Sequence, residues 1–306
     1  MSREEQNTHV WGRREFLSLS ALGALTLVGA DAAAPPGAAA ASTPCPRLPG
    51  ELSRHVGLVS RYGGTVFEQI RVDIKGDRAR LFVPRGIVPG SSTPAPVLWL
   101  FHGAESNDDA LLGGFRGIGE RAVDAGLLVI CQTLGGTLYS HPTAQQIMRD
   151  GYTYLSSVFS LSWSFLRGTS HGGALAVEAL AADLIPRIGG AYIVNGVYDI
   201  EHLYRYGPLR AKVSVGAPFG YSTSLIKANN PARHASSAYT GTSLRVVYST
   251  PDSSDQTTPP PAHAKKLLAR AAPTAAEASA RTHTLGHTTP GFADTDNIAA
   301  ILRWPA

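Results

Sequence analysis

Cysteine is scarce in this sequence, with two residues among 306, and methionine is equally rare. Two cysteines are too few to hold a small disulfide-rich domain together, so a hydrophobic core has to stabilise the fold. Apolar residues make up 43% of the chain, and its length is sufficient for one large α/β domain. The cysteines are Cys45 and Cys131, and the sequence leaves open whether they pair.

The sequence also lacks the patterns that bind metals, nucleotides and nucleic acids. No cluster of cysteine and histidine has zinc spacing and no glycine-rich phosphate loop occurs, so we expect neither a metal nor another cofactor. Lysine and arginine give a formal charge of +4, but they are spread along the chain rather than gathered in runs. We therefore expect no nucleic-acid partner.

The N-terminal segment has the composition of an export signal. The adjacent residues Arg13 and Arg14 precede a mildly apolar stretch, and small residues at 30–32 form a cleavage site. This arrangement resembles a twin-arginine (Tat) signal peptide over residues 1–32, which implies the Tat export machinery as a partner and a secreted or extracytoplasmic location. The apolar stretch is too short to span a bilayer, so we expect no stable membrane anchor.

Short apolar runs alternate with helix-compatible stretches throughout residues 51–306, which follow an alanine- and proline-rich linker at 33–50. This alternation is typical of an α/β fold, here one catalytic domain with a mostly parallel eight-stranded sheet flanked by helices. The predicted strands are 66–74, 79–83, 97–101, 127–131, 162–167, 191–195, 244–249 and 281–285. The predicted helices are 110–125, 144–158, 171–182, 261–271 and 295–304.

The strongest local motif is Gly-Thr-Ser-His-Gly-Gly at 168–173, between a predicted strand and a predicted helix. A strand-to-helix turn this tight strains its central residue, and small neighbours let the chain pass without clashes. Ser170 would then be exposed at the start of the helix as a nucleophile. The amide of His171 lies at the same helix terminus, where oriented N–H groups stabilise an oxyanion.

A second motif, His-Gly-Ala-Glu at 102–105, follows the strand predicted at 97–101. With the serine turn, it resembles the α/β-hydrolase superfamily, in particular its secreted serine esterases and lipase-like hydrolases, in which the third strand commonly ends in His-Gly. The resemblance implies that Ala104 donates the second amide of the oxyanion hole, beside that of His171.

In this superfamily the acid and the histidine of the triad follow the serine along the chain. The resemblance therefore implies His287 as the base, because it lies in a Gly-His loop after the last predicted strand. The acid belongs in the loop after 244–249, where Asp255 is preferred over Asp252 because a threonine and a proline follow it at the family's offset. Asp199 is a third candidate.

The resemblance also implies a small cap or lid at residues 200–240, between the sixth and seventh predicted strands, where aromatic residues are frequent. The function that it implies is hydrolysis of small-molecule or polymeric carboxylic esters through an acyl-enzyme on Ser170, assisted by His287 and Asp255. A peptidase or an acyltransferase would use the same triad. A non-catalytic binding protein on this fold is the alternative from another class.

Overall fold

The computed structural model describes residues 45–304, which are organised around one nine-stranded sheet. The strands are β1 (Glu51–Val59), β2 (Val66–Ile74), β3 (Asp77–Pro84), β4 (Ala95–Phe101), β5 (Leu128–Gln132), β6 (Leu161–Thr169), β7 (Ile188–Val194), β8 (Ser243–Ser249) and β9 (Glu277–His283). The helices are α1 (Arg116–Asp124), α2 (Pro142–Val158), α3 (His171–Ala181), α4 (Ile200–Tyr206), α5 (Leu209–Gly216), α6 (Thr223–Ala228), α7 (Ala264–Ala271) and α8 (Ala293–Arg303).

The strands lie across the sheet in the order β1-β2-β3-β5-β4-β6-β7-β8-β9. The first three strands run antiparallel to their neighbours, and all pairs from β5 to β9 are parallel. Because parallel strands end on the same side, the loops after β4, β6, β7, β8 and β9 meet at one end of the sheet. Every candidate site residue stands in one of these loops or at the first turn of α3.

The α/β fold class is confirmed, but the predicted number of eight strands is wrong because β1 escaped prediction. This strand is a sheet edge, and its pairing with β2 is interrupted by two register shifts. Three of its four apolar residues, Leu52, Val56 and Val59, are more than half exposed. An edge strand that buries little has no hydrophobic periodicity for a sequence pattern to reveal.

Two other predicted elements differ from the structure more than the rest. The last strand is Glu277–His283 rather than 281–285, and its start was missed because the residues Glu-Ala-Ser-Ala have low β propensity and none of them is buried. The predicted helix at 110–125 is divided into a 3₁₀ turn, Asp108–Leu112, and α1, with two glycines near the break. Glycine is a poor helix former, which explains the interruption.

Helices cover both faces of the sheet and bury two apolar layers. One layer joins the sheet to α2, α3 and α7, and the other joins it to α1 and α8. Within the described residues, no helix is both long and apolar enough to cross a membrane. Cys45 and Cys131 are both free thiols, the second buried in β5.

The segment between β7 and β8 contains α4, α5, α6 and three 3₁₀ turns, and it includes the predicted cap at 200–240. A third apolar cluster attaches it to the start of α3: Leu203 and Phe219 of this segment pack with Tyr139 and Ala174. This segment therefore rests directly above the strand ends. A lid function for it stays a prediction, and the predicted signal peptide and most of the predicted linker lie outside the described residues.

A buried histidine anchors the start of this segment. His263 precedes α7 and is fully buried, and its Nδ1 accepts the amide N–H groups of Tyr198 (3.1 Å) and Asp199 (3.2 Å). Burial lowers the pKa of His263 to about 3, with a smaller lowering contribution from His202, whereas Asp199 opposes the shift. The ring is therefore neutral in the folded protein at any pH near neutrality.

We expect this histidine to make the fold sensitive to acid. Below pH about 6.5 the histidine of the unfolded chain takes up a proton, whereas folded His263 does not accept one until about pH 3. The contribution of His263 to the free energy of unfolding is therefore fully present above pH 6.5 and falls as the pH decreases towards 3. His263→Asn keeps an acceptor oxygen but cannot be protonated. Urea unfolding at pH 7 and pH 5 should show the acid-induced loss reduced by roughly 2 kcal/mol in this variant.

His55→Asn, at an exposed position on β1, is the matched control and should retain the pH dependence of the wild type. An equal acid-induced loss in His263→Asn and in the wild type would contradict the assignment.

Candidate active site

The junction of β6 and α3 consists of a single residue, Ser170, with φ 54° and ψ −121°. This conformation is strained for a residue with a side chain, so its neighbours must enforce it. The amide of Ser170 donates to the carbonyl of Val194 (3.1 Å), and its carbonyl accepts the amides of Gly173 (2.9 Å) and Val197 (2.8 Å). The three hydrogen bonds hold Ser170 at the end of the sheet with its hydroxyl in a cleft.

The glycines around Ser170 are required by close packing of the backbone. A Cβ atom at Gly172 would lie 2.0 Å from the carbonyl oxygen of Phe101, and one at Gly168 would lie 2.4 Å from that of Gly172. A Cβ at Gly173 would lie 2.5 Å from the Cα of Gly196. The Gly-x-Ser-x-Gly-Gly pattern is thus the sequence signature of a turn that touches β4 and the loop after β7.

The structure brings the three predicted residues Ser170, His287 and Asp255 into one chain of hydrogen bonds. Nε2 of His287 lies 2.8 Å from Oγ of Ser170, and its Nδ1 lies 2.9 Å from Oδ2 of Asp255. The His287 side chain is 29% exposed, whereas that of Asp255 is 1% exposed. The imidazole therefore lies between an accessible hydroxyl and a buried carboxylate, the arrangement required for base-assisted activation of the serine.

Four donors surround the carboxylate of Asp255. Its Oδ1 accepts the amides of Thr257 and Thr258, each at 2.9 Å, and its Oδ2 lies 2.6 Å from Oγ1 of Thr258 and 2.9 Å from the imidazole of His287. Burial acts to raise the pKa of Asp255, but these hydrogen bonds outweigh it and lower the pKa to about 2. Asp255 is therefore ionised at neutral pH.

The other two candidate acids have structural contacts instead. Asp252 is exposed on the surface and forms an ion pair with Lys265 at 2.7 Å. Asp199 caps α4 by accepting the amide of His202, and its other oxygen lies 2.5 Å from Nζ of Lys266. Neither has a contact with His287.

Two backbone amides lie near Ser170. Ala104 is in the loop after β4, and His171 follows Ser170 at the N-terminus of α3. Among the described residues, neither of their backbone amides donates a hydrogen bond. Ala104 and Gly103 line the same cleft as Ser170. Free amides beside a nucleophile, one of them at a helix N-terminus, can stabilise a developing oxyanion.

The side chains of two buried histidines hold these amides in place. The ring nitrogens of His102 lie 2.8 Å and 3.0 Å from the carbonyl oxygens of Gly103 and Thr133. His171 accepts the amide of Tyr139 at Nε2 (2.8 Å), and its Nδ1 lies 3.2 Å from the carbonyl of His102. Complete burial lowers the pKa of His171 to about 3, so the ring is neutral and both of its nitrogens are used.

The cleft above Ser170 has a volume of about 390 Å³, within the range of small-molecule sites. One wall comes from the segment after β7, through Leu203, Pro208, Arg210, Ala211 and Ser214. Arg210 forms an ion pair with Glu105 at the mouth, which joins α5 to the loop of Ala104. A smaller cavity of about 190 Å³ shares the lining residues Gly103, Thr169 and Thr289. The described part of the chain has no cluster of three or more metal-binding side chains.

Sequence reasoning missed two residues that support the triad: Thr258, which contacts Asp255, and Asn195, which contacts Thr258 and the backbone of the His287 loop. Thr258 marked the offset of the acid but was not expected to bind it. Asn195 ended a predicted strand beside the one that leads to the serine, and residues at that end of a parallel sheet are candidates for a site. Its position at the end of this predicted strand was the signal by which Asn195 could have been identified.

No protein-family model and no curated protein sequence matches this chain. Solved structures do. An S-formylglutathione hydrolase from Agrobacterium tumefaciens matches with a TM-score of 0.60 and 12% identity, over 84% of this chain and 100% of that one. The acetyl xylan esterase from Paenibacillus sp. R4 matches with a TM-score of 0.56 and 15% identity, over 83% and 89%.

A Pyrococcus horikoshii acylaminoacyl peptidase matches with a TM-score of 0.56 and 11% identity, over 78% of this chain and 40% of that one. These similarities show that the chain has the α/β-hydrolase fold. At such low identity they show the fold alone, because one fold can host many different chemistries.

The close approach at Gly172 generates a testable prediction for the site. We expect Gly172→Ala to lower the free energy of unfolding by about 3 kcal/mol or more, because its methyl group would overlap the carbonyl of Phe101 and force β4 away from Ser170. Gly86→Ala, where no atom lies within 4 Å of the added carbon, should change it by less than about 1 kcal/mol. Equal stability of the two variants in urea unfolding would rule out this packing constraint.

Proposed function

We propose that the protein is an exported serine hydrolase that cleaves carboxylic esters through a Ser-His-Asp mechanism. The observation that supports this most directly is the continuous chain of hydrogen bonds from Ser170 through His287 to Asp255, at 2.8 Å and 2.9 Å. Ser170 lies at the floor of an open cleft, so a substrate carbonyl can reach its hydroxyl.

In the first half-reaction, His287 Nε2 takes the proton of Ser170 while Oγ bonds to the ester carbonyl carbon. The amides of Ala104 and His171 bind the resulting oxyanion. Asp255 keeps the proton of His287 on Nδ1 and stabilises the imidazolium. His287 then gives its proton to the departing alcohol, which leaves an acyl-enzyme.

In the second half-reaction, water attacks the acyl carbon as His287 removes its proton. Collapse of the oxyanion releases the carboxylic acid, and the proton returns from His287 to Ser170. No cofactor takes part in either half.

The choice of an ester draws support from the comparisons. Two similar structures are an acetyl xylan esterase and an S-formylglutathione hydrolase, and the likeness covers 89% and 100% of those chains. A likeness to prolyl endopeptidases, which covers 37% of that chain, keeps amide cleavage as the alternative. Turnover of an ester, of the matching amide, and of the ester with an added alcohol acceptor separates esterase, peptidase and acyltransferase.

Export forms part of the same proposal. It rests on the arginine pair Arg13 and Arg14 and the small residues at 30–32, which resemble a Tat signal. Export followed by removal of the signal leaves the catalytic domain outside the cytoplasm, where it meets extracellular or envelope esters.

Labelling with a fluorophosphonate tests the nucleophile without knowledge of the substrate. The wild type should form a bond from Ser170 Oγ to phosphorus with loss of fluoride, and mass mapping should locate it on Ser170. Ser170→Ala should lose labelling and ester turnover with unchanged thermal unfolding. A well-folded wild type that stays unlabelled would refute the enzyme proposal and favour a binding protein.

The acid is tested by comparing two aspartates of the same loop. Asp255→Asn should lower kcat about 10⁴-fold, because the amide cannot hold His287 in the required tautomer. Asp252→Asn is the matched control, since Asp252 pairs only with Lys265 on the surface, and its kcat should stay near that of the wild type. Similar losses in the two variants, measured by steady-state ester hydrolysis, would mean that Asp255 is not the acid.

A further inference from the structure

Asn195 directly follows β7, between the loops that carry His287 and Asp255. The residue is 4% exposed and its backbone has φ 43°, a left-handed conformation that asparagine tolerates better than most residues. Its amide donates to the carbonyl of Val247 in β8 at 2.8 Å. The residue is therefore fixed to the sheet on one side while its carboxamide points away from the strand end.

The carboxamide holds the backbone on both sides of His287. Nδ2 donates to the carbonyl of Thr288 at 2.9 Å and to that of Gly286 at 3.4 Å. These two carbonyls belong to the residues that flank the histidine in sequence, so one NH₂ group restrains the backbone on both sides of it. His287 itself contributes no atom to this contact.

His283, the last residue of β9, sets the orientation of the carboxamide. Nδ1 of His283 accepts the amide of Leu285 at 3.2 Å, so the ring proton is on Nε2. Nε2 lies 3.1 Å from Oδ1 of Asn195 and donates to it. With Oδ1 occupied by His283, the NH₂ group has to face the His287 loop.

The same end of β7 is also connected to the other two members of the triad, to Ser170 directly and to Asp255 through Thr258. The carbonyl of Asn195 lies 3.1 Å from Oγ1 of Thr258, the hydroxyl that contacts Asp255 at 2.6 Å. The carbonyl of Val194, one residue earlier, accepts the amide of Ser170. Two consecutive residues thus connect the serine turn, the acid loop and the histidine loop.

We propose that Asn195, oriented by His283, is a positioning residue that holds the imidazole of His287 in line between Asp255 and Ser170. This rests on the proposed function. The hydrogen bond between Ser170 and His287 is lost whenever Oγ carries the acyl group, which leaves the partly exposed ring with Asp255 as its remaining triad partner. The contacts of Asn195 do not involve reacting atoms, so they persist through both half-reactions and keep the ring placed for the attacking water.

The test compares Asn195→Ala and the isosteric Asn195→Asp with the wild type. Both remove the NH₂ donor, and Asn195→Asp leaves an acceptor for His283. We expect kcat to fall about 10²-fold, the size typical of a small displacement of a reacting group, with KM nearly unchanged. The downfield proton NMR signal of His287 Nδ1–H, identified by its loss in Asp255→Asn, should disappear or move in both variants.

Asn230→Ala is the matched control for a buried asparagine. Asn230 accepts the amides of Ile200 and Ala232 and donates to Asp199, with no contact to the His287 loop. It should lose stability without a change in the downfield signal and with kcat near that of the wild type. If the Asn195 variants behave like Asn230→Ala, or if only KM rises because Asn195 binds substrate, the inference is wrong.

Substitutions of His283 test the same role without touching Asn195. His283→Gln keeps an N–H near the position of Nε2 and should retain most of kcat, whereas His283→Leu should lower kcat and shift the signal as the Asn195 variants do. If the wild type does not react with the fluorophosphonate, but its downfield signal is present and is lost in Asn195→Ala, the proposed function fails and the positioning role stands. A reactive wild type with unaffected Asn195 and His283 variants would overturn the positioning role alone.

Discussion

The passage of the chain through Ser170 determines the geometry of everything around it. Ser170 can hold a positive φ only because glycines on both sides let three backbone segments approach one another closely. Gly172 touches the end of β4, which fixes the distance from the serine to the loop of Ala104. Gly173 touches Gly196, which brings the end of β7 beside the serine. The spacing of the site is thus set by backbone packing within the sheet rather than by flexible side chains.

Among the buried polar groups below the cleft, the aspartate Asp255 is charged and two histidines are neutral. Asp255 stays ionised in a buried place because four donors compensate its lost hydration. His171 and His263 are equally enclosed but have no carboxylate in hydrogen-bond contact, and both are neutral and bind backbone groups. The buried aspartate is therefore charged while the buried histidines are neutral, and the number of available hydrogen-bond partners decides between these two outcomes.

The end of β7 links these two themes. Val194 and Asn195 contact the serine turn, the acid loop and the histidine loop, although neither belongs to the proposed triad. The catalytic groups come from three loops that are far apart in sequence, and a common support on one rigid strand reduces their relative movement. The segment between β7 and β8 packs on the same region through the cluster around Leu203 and Tyr139, so the wall of the cleft and the site have a common support.

The sequence was sufficient to predict those elements whose burial or local chemistry produces a recognisable pattern of residues. The interior strands β2 to β8 bury enough apolar side chains to be recognised, and the glycines near Ser170 reveal a tight turn before any coordinates are known. Strand β1 could not be found in this way because it is an exposed edge. The choice among Asp199, Asp252 and Asp255 could not be derived from composition either, since each is an acidic residue in a loop and only its partners distinguish it.

The sequence alone therefore determined the class of fold, the strained turn at Ser170 and the order in which the candidate residues follow one another. These depend on local spacing, which a linear chain already contains. Only the tertiary structure decided that Asp255 contacts His287, that Asp252 pairs with Lys265 instead, and that Asn195 restrains the backbone on both sides of His287. The contacts of Asp255 and Asn195 with the His287 loop join residues 32 to 93 positions apart. They exist only after the parallel strands have brought their C-terminal ends to one side of the sheet, because loop position in space depends on strand order and not on sequence distance.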